Sequence, residues 1–274
     1  MSFRLRAVAP WCATLAIGAL APLAVIVLLA YCARSAWPAI VNVNVAFATD
    51  RAWLPTDGRF GGAALVLGTL ATTARAVVVA VPIGLGAALS LAFFAGPRLR
   101  RAGELAIGAL AGLPTVVVGL VGIAWIVPLA GYSLLSAGLV LALMIVPTFA
   151  WLAVAALRDL PPALFDNGRV LGLTDEALVF RLALRAVRPW LVGAATLAAC
   201  RALGEAVAVS MVAGNIANFP FDPTTPIRTL ASTLVLEVDP AVGVHRSALF
   251  VVALLMSLAI GVAGAVGGRL AERS

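Results

Sequence analysis

Six apolar stretches, separated by segments that carry arginine, dominate this chain of 274 residues. They cover residues 11–33, 62–94, 105–128, 132–157, 187–213 and 247–268. Each has the length of about 20 residues that a helix needs to cross a bilayer. Hydrophobic residues make up 63% of the sequence and charged residues 11%, a balance that a soluble globule of this size could not bury. The pattern predicts an all-α membrane protein with about six transmembrane helices and no room for a soluble catalytic domain.

The arginines predict the orientation of these helices. All 19 basic residues are arginine, and the formal net charge is +7. With the N-terminus inside, the inner segments hold twelve arginines and the outer segments five, and cytoplasmic loops normally carry the excess of basic residues. We therefore predict that both termini are cytoplasmic. Because the arginines are scattered between apolar runs, we expect no nucleic-acid partner.

Two units are expected along the chain. Residues 1–60 hold the first transmembrane helix and most of an outer loop at 34–61, and residues 61–274 hold the remaining membrane domain. The first apolar run is longer than the ~7–15 residues of a signal-peptide core, which favours a retained helix. His245 is the only histidine and the three cysteines lack metal or redox spacing, so we expect no metal site.

The segment 158–186, on the predicted inner side, is too polar to cross a membrane. Pro161 and Pro162 suit the first turn of a helix, where the N–H that proline lacks would be unpaired. Gly172 predicts a helix stop, and Thr174 an N-cap for a second helix. The apolar stripe of this segment would consist of Phe165, Leu171 and Leu178. We predict two short helices that form either a solvated connector at the bilayer surface or a docking element for a cytoplasmic partner.

A charged pair, Arg201 and Glu205, interrupts the fifth apolar stretch. Charges at membrane depth cost roughly 2.5–3.5 kcal/mol each on insertion scales, so they usually face a protein interior or an aqueous path. Their spacing of four predicts that both lie on one helix face. They form either a structural ion pair or an anion gate. In such a gate the Arg201 guanidinium would hold two oxygens of an anion through two parallel hydrogen bonds, and Glu205 would compensate its charge between anions.

Two strings in the sequence resemble motifs of a known family. Residues 166–172 resemble the EAA loop of ABC importer permeases, with three substitutions in the Glu-Ala-Ala part. Residues 201–215 resemble the signature of PstC-type permeases of phosphate importers, and the run 211–215 favours this type over the sister PstA type. Shorter matching strings occur at 53–61, 68–84, 111–119, 143–147 and 229–250. The resemblance covers about residues 50–265.

The resemblance implies a multi-pass MetI-like permease of the bacterial inner membrane. In that family the chain pairs with a sister permease (PstA-like) around a shared pathway. An ATPase dimer docks beneath and an extracytoplasmic phosphate-binding protein docks outside. ATP and magnesium would bind the ATPase, so this chain would need no cofactor and would not be an enzyme; it has no Gly-x-x-x-x-Gly-Lys loop. The implied ATPase-coupling residues are Asp166, Gly168, Gly172 and Leu173.

Arg75 lies near the middle of the second apolar stretch, close to three threonines. It is either a second cation of the anion pathway or an arginine paired with Glu205 or with a backbone carbonyl. We include it with Arg201 and Glu205 as a candidate pathway residue.

Three other functions are compatible with parts of this sequence. A permease for phosphonate, sulfate or molybdate would share the fold and the coupling loop. An intramembrane enzyme is disfavoured, because the sequence has no His/Asp/Glu cluster and no Ser-His pair at membrane depth. A structural or sensory membrane protein would not associate with an ATPase through residues 158–186.

Overall fold

The computed structural model describes residues 2–43, 47, 50 and 52–273, with side chains described from residue 18 onward. Residues 44–46, 48–49 and 51, within the predicted outer loop, lie outside the described residues. The helices are α1 (Ser2–Val43), α2 (Ala63–Leu89), α3 (Pro97–Ala111), α4 (Thr115–Val121), α5 (Val127–Ala130), α6 (Leu134–Arg158), α7 (Pro162–Val170), α8 (Asp175–Ala177), α9 (Leu184–Ala186), α10 (Arg188–Leu203), α11 (Val207–Val212), α12 (Leu230–Glu237) and α13 (Gly243–Arg273).

Short irregular elements connect these helices. A π-helical turn at Ser90–Phe94 extends α2, another at Gly122–Ile126 joins α4 to α5, and a third at Leu178–Ala183 joins α8 to α9. The two strands β1 (Trp53–Leu54) and β2 (Arg59–Phe60) pair as a small antiparallel hairpin. The described residues therefore form an almost purely helical protein.

Four helices are long and apolar enough to cross a membrane by themselves. They are Gly18–Val43, Ala63–Phe94, Leu134–Arg158 and Gly243–Arg273. Two bent pairs qualify only when each is taken together: Pro97–Ala111 with Thr115–Ala130, bent by 98°, and Asp175–Ala186 with Arg188–Leu203, bent by 64°. The prediction of an all-α membrane protein is confirmed, with four to six candidate spans. The side of the membrane on which the termini lie stays a prediction.

The third apolar stretch is not one continuous helix. The chain bends at residues 112–114, between α3 and α4. Pro114 cannot donate a hydrogen bond to the preceding turn, and its ring disfavours helical geometry at Leu113. The predicted span at 105–128 is thus a broken helix, and α3 leaves it at nearly a right angle.

The fifth apolar stretch is also broken. Helix α10 ends at Leu203, and α11 begins only at Val207. Gly204 follows the last helical residue and has a low helix propensity, so the ladder of hydrogen bonds ends there. The predicted span at 187–213 therefore consists of a long and a short helix on either side of residues 204–206.

The first helix extends ten residues beyond the predicted span at 11–33. Ala36 and Ala39 of α1 are buried. The Ser247 hydroxyl of α13 donates to the Ser35 carbonyl at 2.7 Å and accepts from the Ala39 N–H at 3.0 Å. This hydroxyl bridges two groups that would bond each other in an uninterrupted helix, next to Pro38. Packing on α13 therefore keeps α1 helical where the sequence predicted an outer loop.

Helix α6 forms the centre of the bundle, and 56% of the residues in its most apolar segment are buried. Helix α2 packs closely along it at Gly84, where an added Cβ would lie 2.7 Å from the Phe149 ring. A second apolar cluster surrounds the hairpin and includes Trp53, Phe60 and Leu249. Pro82 and Pro147 lie inside α2 and α6 without ending them. The α2–α6 pair positions the charged residues, because Arg75 lies on α2 and Arg201 contacts Thr148 of α6.

Candidate functional site

Arg201 lies in the last turn of α10 and faces the middle of α6. Its Nη1 donates to the Thr148 hydroxyl at 3.3 Å, and its side chain is otherwise exposed. Within the described part of the chain, no carboxylate forms an ion pair with Arg201. An arginine at membrane depth without a counter-charge is costly unless it meets water, a partner protein or an anion. The Arg201 guanidinium thus keeps most of its five donors available.

Glu205 has a different partner from the one that its spacing predicts. Its Oε1 accepts a hydrogen bond from the Ala208 N–H at 3.1 Å, in the first turn of α11. A carboxylate at this position satisfies an unpaired N–H and is favoured by the helix dipole. The predicted common helix face of Arg201 and Glu205 is wrong, because the helix ends at Leu203 and the two residues lie on either side of the break.

A cavity of about 200 Å³ lies beside Arg201. Its wall consists of Leu110, Leu113, Val117, Val118, Val121, Leu143, Met144 and Arg201. The bend between α3 and α4 contributes most of these residues, and α6 contributes two. Arg201 is the only charged group among the lining residues. The two helix breaks therefore meet around one guanidinium in an otherwise apolar recess, which suits the capture of a desolvated anion.

Arg75 lies at another level of the bundle. A Cβ added at Gly138 of α6 would lie 3.1 Å from the Cβ of Arg75, so the two helices are close there. The Arg75 Nη1 lies 3.5 Å from the Ala71 carbonyl of its own helix. Gly138 precedes Thr148 by ten positions, which is about 15 Å along α6. Arg75 and Arg201 are therefore not brought together on α6, and Glu205 does not pair with Arg75. The carbonyl contact fits the structural interpretation of Arg75, and its role in a pathway stays a prediction.

The predicted inner segment folds into the two short helices that its sequence indicates. Pro162 occupies the first turn of α7, which ends at Val170. Gly172 adopts a φ of +77°, where a side chain would be strained. The Leu173 N–H then donates to the Gly168 carbonyl at 3.1 Å, as in a common helix C-cap. The Thr174 hydroxyl accepts from the Ala177 N–H at 3.3 Å. The predicted helix stop and N-cap are confirmed.

The surface of this segment differs from the predicted stripe. Gly168 is buried, and a Cβ there would collide with the Leu178 side chain. Leu178 is buried, whereas Leu171 is 80% exposed. Leu171 was expected on the same apolar stripe, but helical periodicity stops at Val170. Exposed Leu171 and the 86%-exposed Val170 therefore form an apolar tip.

Charged residues flank this apolar tip. Asp166 is exposed, and its Oδ1 lies 3.6 Å from Arg169 Nη1. The Nη2 of the same arginine lies 3.6 Å from Asp175 Oδ1 of the next helix. Exposed ion pairs of this kind contribute little stability, about 0–1 kcal/mol. They link α7 to α8 across the Gly172 turn.

A largely buried polar cluster around Glu237 was not predicted from the sequence. The Arg228 Nη1 donates to Glu237 Oε1 at 2.6 Å, and the Trp53 indole N–H donates to Oε2 at 2.9 Å. His245 Nε2 lies 2.8 Å from Oε2. The Glu237 and Arg228 side chains are only 13% and 14% exposed. The four members of the cluster come from the hairpin, a loop, α12 and α13, so no sequence spacing indicates the cluster.

A tight turn follows α11 and contains the end of the string 201–215. Gly214 and Asn215 both have positive φ, of +80° and +56°. Asparagine and glycine are the residues that tolerate this geometry. The Asn215 amide donates to the Ser210 carbonyl at 2.6 Å, which closes the turn. In the loop that follows, hydrogen bonds from Thr224 lower the pKa of the Asp222 carboxyl below its usual value.

Comparisons with known proteins assign the fold and the family. The family described as binding-protein-dependent transport system inner membrane component matches residues 80–274. Among solved structures, an inward-facing MetNI methionine ABC transporter matches with a TM-score of 0.64 at 19% identity. That match covers 75% of this chain and 92% of the matched chain, and it shows a common fold.

Curated relatives match over most of the sequence. The phosphate transport system permease protein PstC of Haemophilus influenzae is 31% identical over 80% of this chain and 78% of its own length. PstC 1 of Mycobacterium tuberculosis is 34% identical over 70% of this chain and 65% of its own length. The probable ABC transporter permease protein YqgH of Bacillus subtilis is 31% identical over 70% of this chain and 66% of its own length. With its helical spans and these matches, the chain belongs to the inner membrane components of binding-protein-dependent ABC transport systems.

Proposed function

We propose that this chain is the PstC-type permease subunit of an ATP-driven importer for inorganic phosphate. The proposal has support from several relatives named as PstC phosphate permeases, which match this chain at about 30% identity. The physical observation that carries it is Arg201. Its guanidinium lies at the meeting point of two helix breaks, faces an apolar recess and has no carboxylate partner among the described residues.

In this proposal Arg201 binds the anion as it passes the centre of the membrane. Two parallel N–H groups of a guanidinium match two oxygens of a tetrahedral oxyanion. The Thr148 hydroxyl accepts one hydrogen bond from Arg201 and orients it without neutralising its charge. Apolar walls strengthen the attraction by excluding water, while one isolated arginine keeps the anion releasable.

Glu205 acts as a positioning residue in the same proposal. Its carboxylate caps α11 and so fixes the break that follows Arg201. A negative charge close to the recess also disfavours a second anion. Arg75, about two to three helical turns away along α6, would serve as an earlier or later contact for the anion.

The two-helix segment 158–186 would bind an ATPase subunit. Val170 and Leu171 are 86% and 80% exposed, and large exposed apolar side chains at a tip are typical of protein contacts. Gly168 and Gly172 allow the compact turn that presents this tip, and Leu173 and the Asp166–Arg169 pair support it. A rigid tip could transmit closure of the ATPase to the helices that continue from Ala186 into α10, across the 64° bend.

The remaining partners follow from membership of a binding-protein-dependent system. We infer a PstA-like sister permease that completes the pathway, a dimer of ATPase subunits, and an extracytoplasmic phosphate-binding protein. ATP and magnesium would bind the ATPase subunits, so this chain carries no cofactor and catalyses no reaction.

A permease for another oxyanion is the second candidate function. The single guanidinium in an apolar recess could bind sulfate, molybdate or phosphonate with the same geometry. The string 201–215 and the PstC relatives favour phosphate.

The test is uptake of labelled phosphate and labelled sulfate in cells that lack this gene and every other phosphate importer. Restoring the wild-type gene at low external phosphate should restore phosphate uptake at least tenfold and leave sulfate uptake unchanged. Gly261→Ala, a change in open space on α13, serves as the matched control and should transport like the wild type. Phosphate uptake that does not depend on the gene would refute the substrate assignment.

A further inference from the structure

Helix α3 is the one long helix without a buried residue among those whose side chains the structure describes. Its Glu104 pairs with Arg158 at the end of α6, whereas Leu110 and Leu113 line the recess beside Arg201, so α3 runs from the end of α6 toward its middle. Leu99 and Leu105 are 66% and 69% exposed. Exposed leucines on a helix that begins with arginines are typical of a helix that meets lipid, with its basic end at the headgroups. The proposed pathway uses the end of α3, but neither it nor the coupling loop accounts for the exposed start of this helix.

An apolar groove separates α3 from the end of α2. Its volume is about 450 Å³, and its lining includes Leu91, Phe94, Leu99, Ala106 and Ile107. Apart from the Ser90 hydroxyl, the side chains that line it are apolar. Phe94 at its rim is 64% exposed. The groove therefore offers a slot for a flexible hydrocarbon chain.

Three arginines stand at the end of α3 that borders this groove: Arg98, Arg100 and Arg101. The nearest carboxylate on the helix, Glu104, is already paired with Arg158 of α6. Arg100 reaches the Ala92 carbonyl with Nη2 at 3.3 Å, and its buried Nε has no hydrogen-bond partner. Among the described residues none of the three arginines forms an ion pair. Positive charge thus collects where the groove ends.

We propose that this groove binds one anionic phospholipid, with an acyl chain between α2 and α3 and the phosphate between Arg98 and Arg100, which flank Leu99 at the end of the groove. Charge complementarity selects the occupant, since an apolar slot with a basic rim matches a lipid that has an apolar chain and an anionic headgroup. An extended protein segment would leave its backbone groups unpaired in a slot that offers almost no polar partners. The site is independent of the substrate proposed above.

The experiment compares lipid retention by the full-length chain and its variants. The protein is purified from micelles that contain equal amounts of phosphatidylglycerol and phosphatidylcholine, and native mass spectrometry counts the lipids that remain bound. We expect one retained phosphatidylglycerol per chain. The double variant Arg98→Gln/Arg100→Gln should lower this retention about tenfold or more, since each arginine near an anionic headgroup contributes roughly fivefold in affinity.

Two further variants separate the groove from general charge. Ala106→Phe places a ring in the slot and should lower retention while all three arginines remain. The matched control, Arg269→Gln/Arg273→Gln, removes two exposed arginines from the end of α13 and should retain lipid like the wild type. A Tm close to that of the wild type shows that each variant is folded.

Several results would overturn the proposal. Equal retention of both lipids would remove the charge argument, and an equal loss in the α13 control would show non-specific attraction. Release of the lipid by millimolar inorganic phosphate would show that the arginines bind free phosphate instead. Loss of the lipid when the sister permease is co-purified would show that the groove is a protein interface.

Discussion

Arg201 and Glu237 are charged residues with opposite surroundings. Glu237 is largely buried and is satisfied by Arg228, Trp53 and His245, which come from the loop before α12, the hairpin and α13. Arg201 is exposed, touches one hydroxyl and faces an apolar recess. A fully paired buried charge holds elements in place, whereas an unpaired one at a helix break is free to bind a ligand. In this chain the partners of a charge, more than its depth or residue type, separate a structural charge from a functional one.

The largest effect is expected from Arg201→Ala. Phosphate uptake should fall at least tenfold, because no other described charge lines the recess. The amount of protein in the membrane should stay unchanged. Replacing an exposed side chain that makes one long hydrogen bond usually changes the free energy of unfolding by no more than about 0.5 kcal/mol. Labelled-phosphate uptake, normalised to the membrane-inserted protein, measures this. Thr148→Val should reduce uptake less, because it leaves the charge in place. Normal uptake by Arg201→Ala would contradict the proposed pathway.

Glu237→Leu tests whether the Glu237 charge is structural. It leaves the largely buried Arg228 without its carboxylate, and breaking a buried pair on one side costs up to about 3–5 kcal/mol. We expect a large fall in Tm in detergent, with uptake per folded molecule close to that of the wild type. The double variant Glu237→Leu/Arg228→Met should recover part of the stability, because it removes both charges. A loss of uptake at unchanged Tm would place Glu237 with the functional charges.

Glu205 lies between these two cases and can be assigned by a pair of variants. Glu205→Gln keeps an oxygen that accepts from the Ala208 N–H, whereas Glu205→Leu removes the cap at a cost of about 1 kcal/mol. If Glu205 positions the helix break, Gln should retain most phosphate uptake and Leu should lose several-fold. An equal loss of phosphate uptake in both variants would show that the negative charge itself is required. Glu205 would then act by compensating the charge of Arg201.

The sequence predicted the helices better than their breaks. Apolar length alone placed the continuous spans at 62–94 and 132–157 to within two residues at each end. It could not show that residues 112–114 bend the third span, because glycine and proline also occur inside unbroken helices such as α2. Whether such residues kink or break a helix depends on what packs on either side, which is tertiary information.

The site shows the same limit at the level of single residues. Spacing selected Arg201 and Glu205 but assigned them to one helix face, because the effect of Gly204 was not visible in an apolar run. The sequence correctly predicted the Thr174 N-cap and the helix stop at Gly172, because both depend on neighbouring residues alone. The Glu237 cluster joins residues up to 184 positions apart, as Trp53 and Glu237 are, and no local pattern encodes that contact.

The smallest effect we predict concerns the coupling loop. Gly172→Val forces a branched side chain into a φ of +77°, which costs about 1–2 kcal/mol, although open space surrounds the position. We expect the turn to relax and the Val170–Leu171 tip to shift, so that ATPase association falls by up to about tenfold. Co-purification of the ATPase with the membrane-inserted chain measures this, and Gly261→Ala is again the control. If association is unchanged while the protein is folded, the tip is not the docking element. The exposed Val170 and Leu171 would then need another partner, and exposure at this loop would not by itself indicate a docking site.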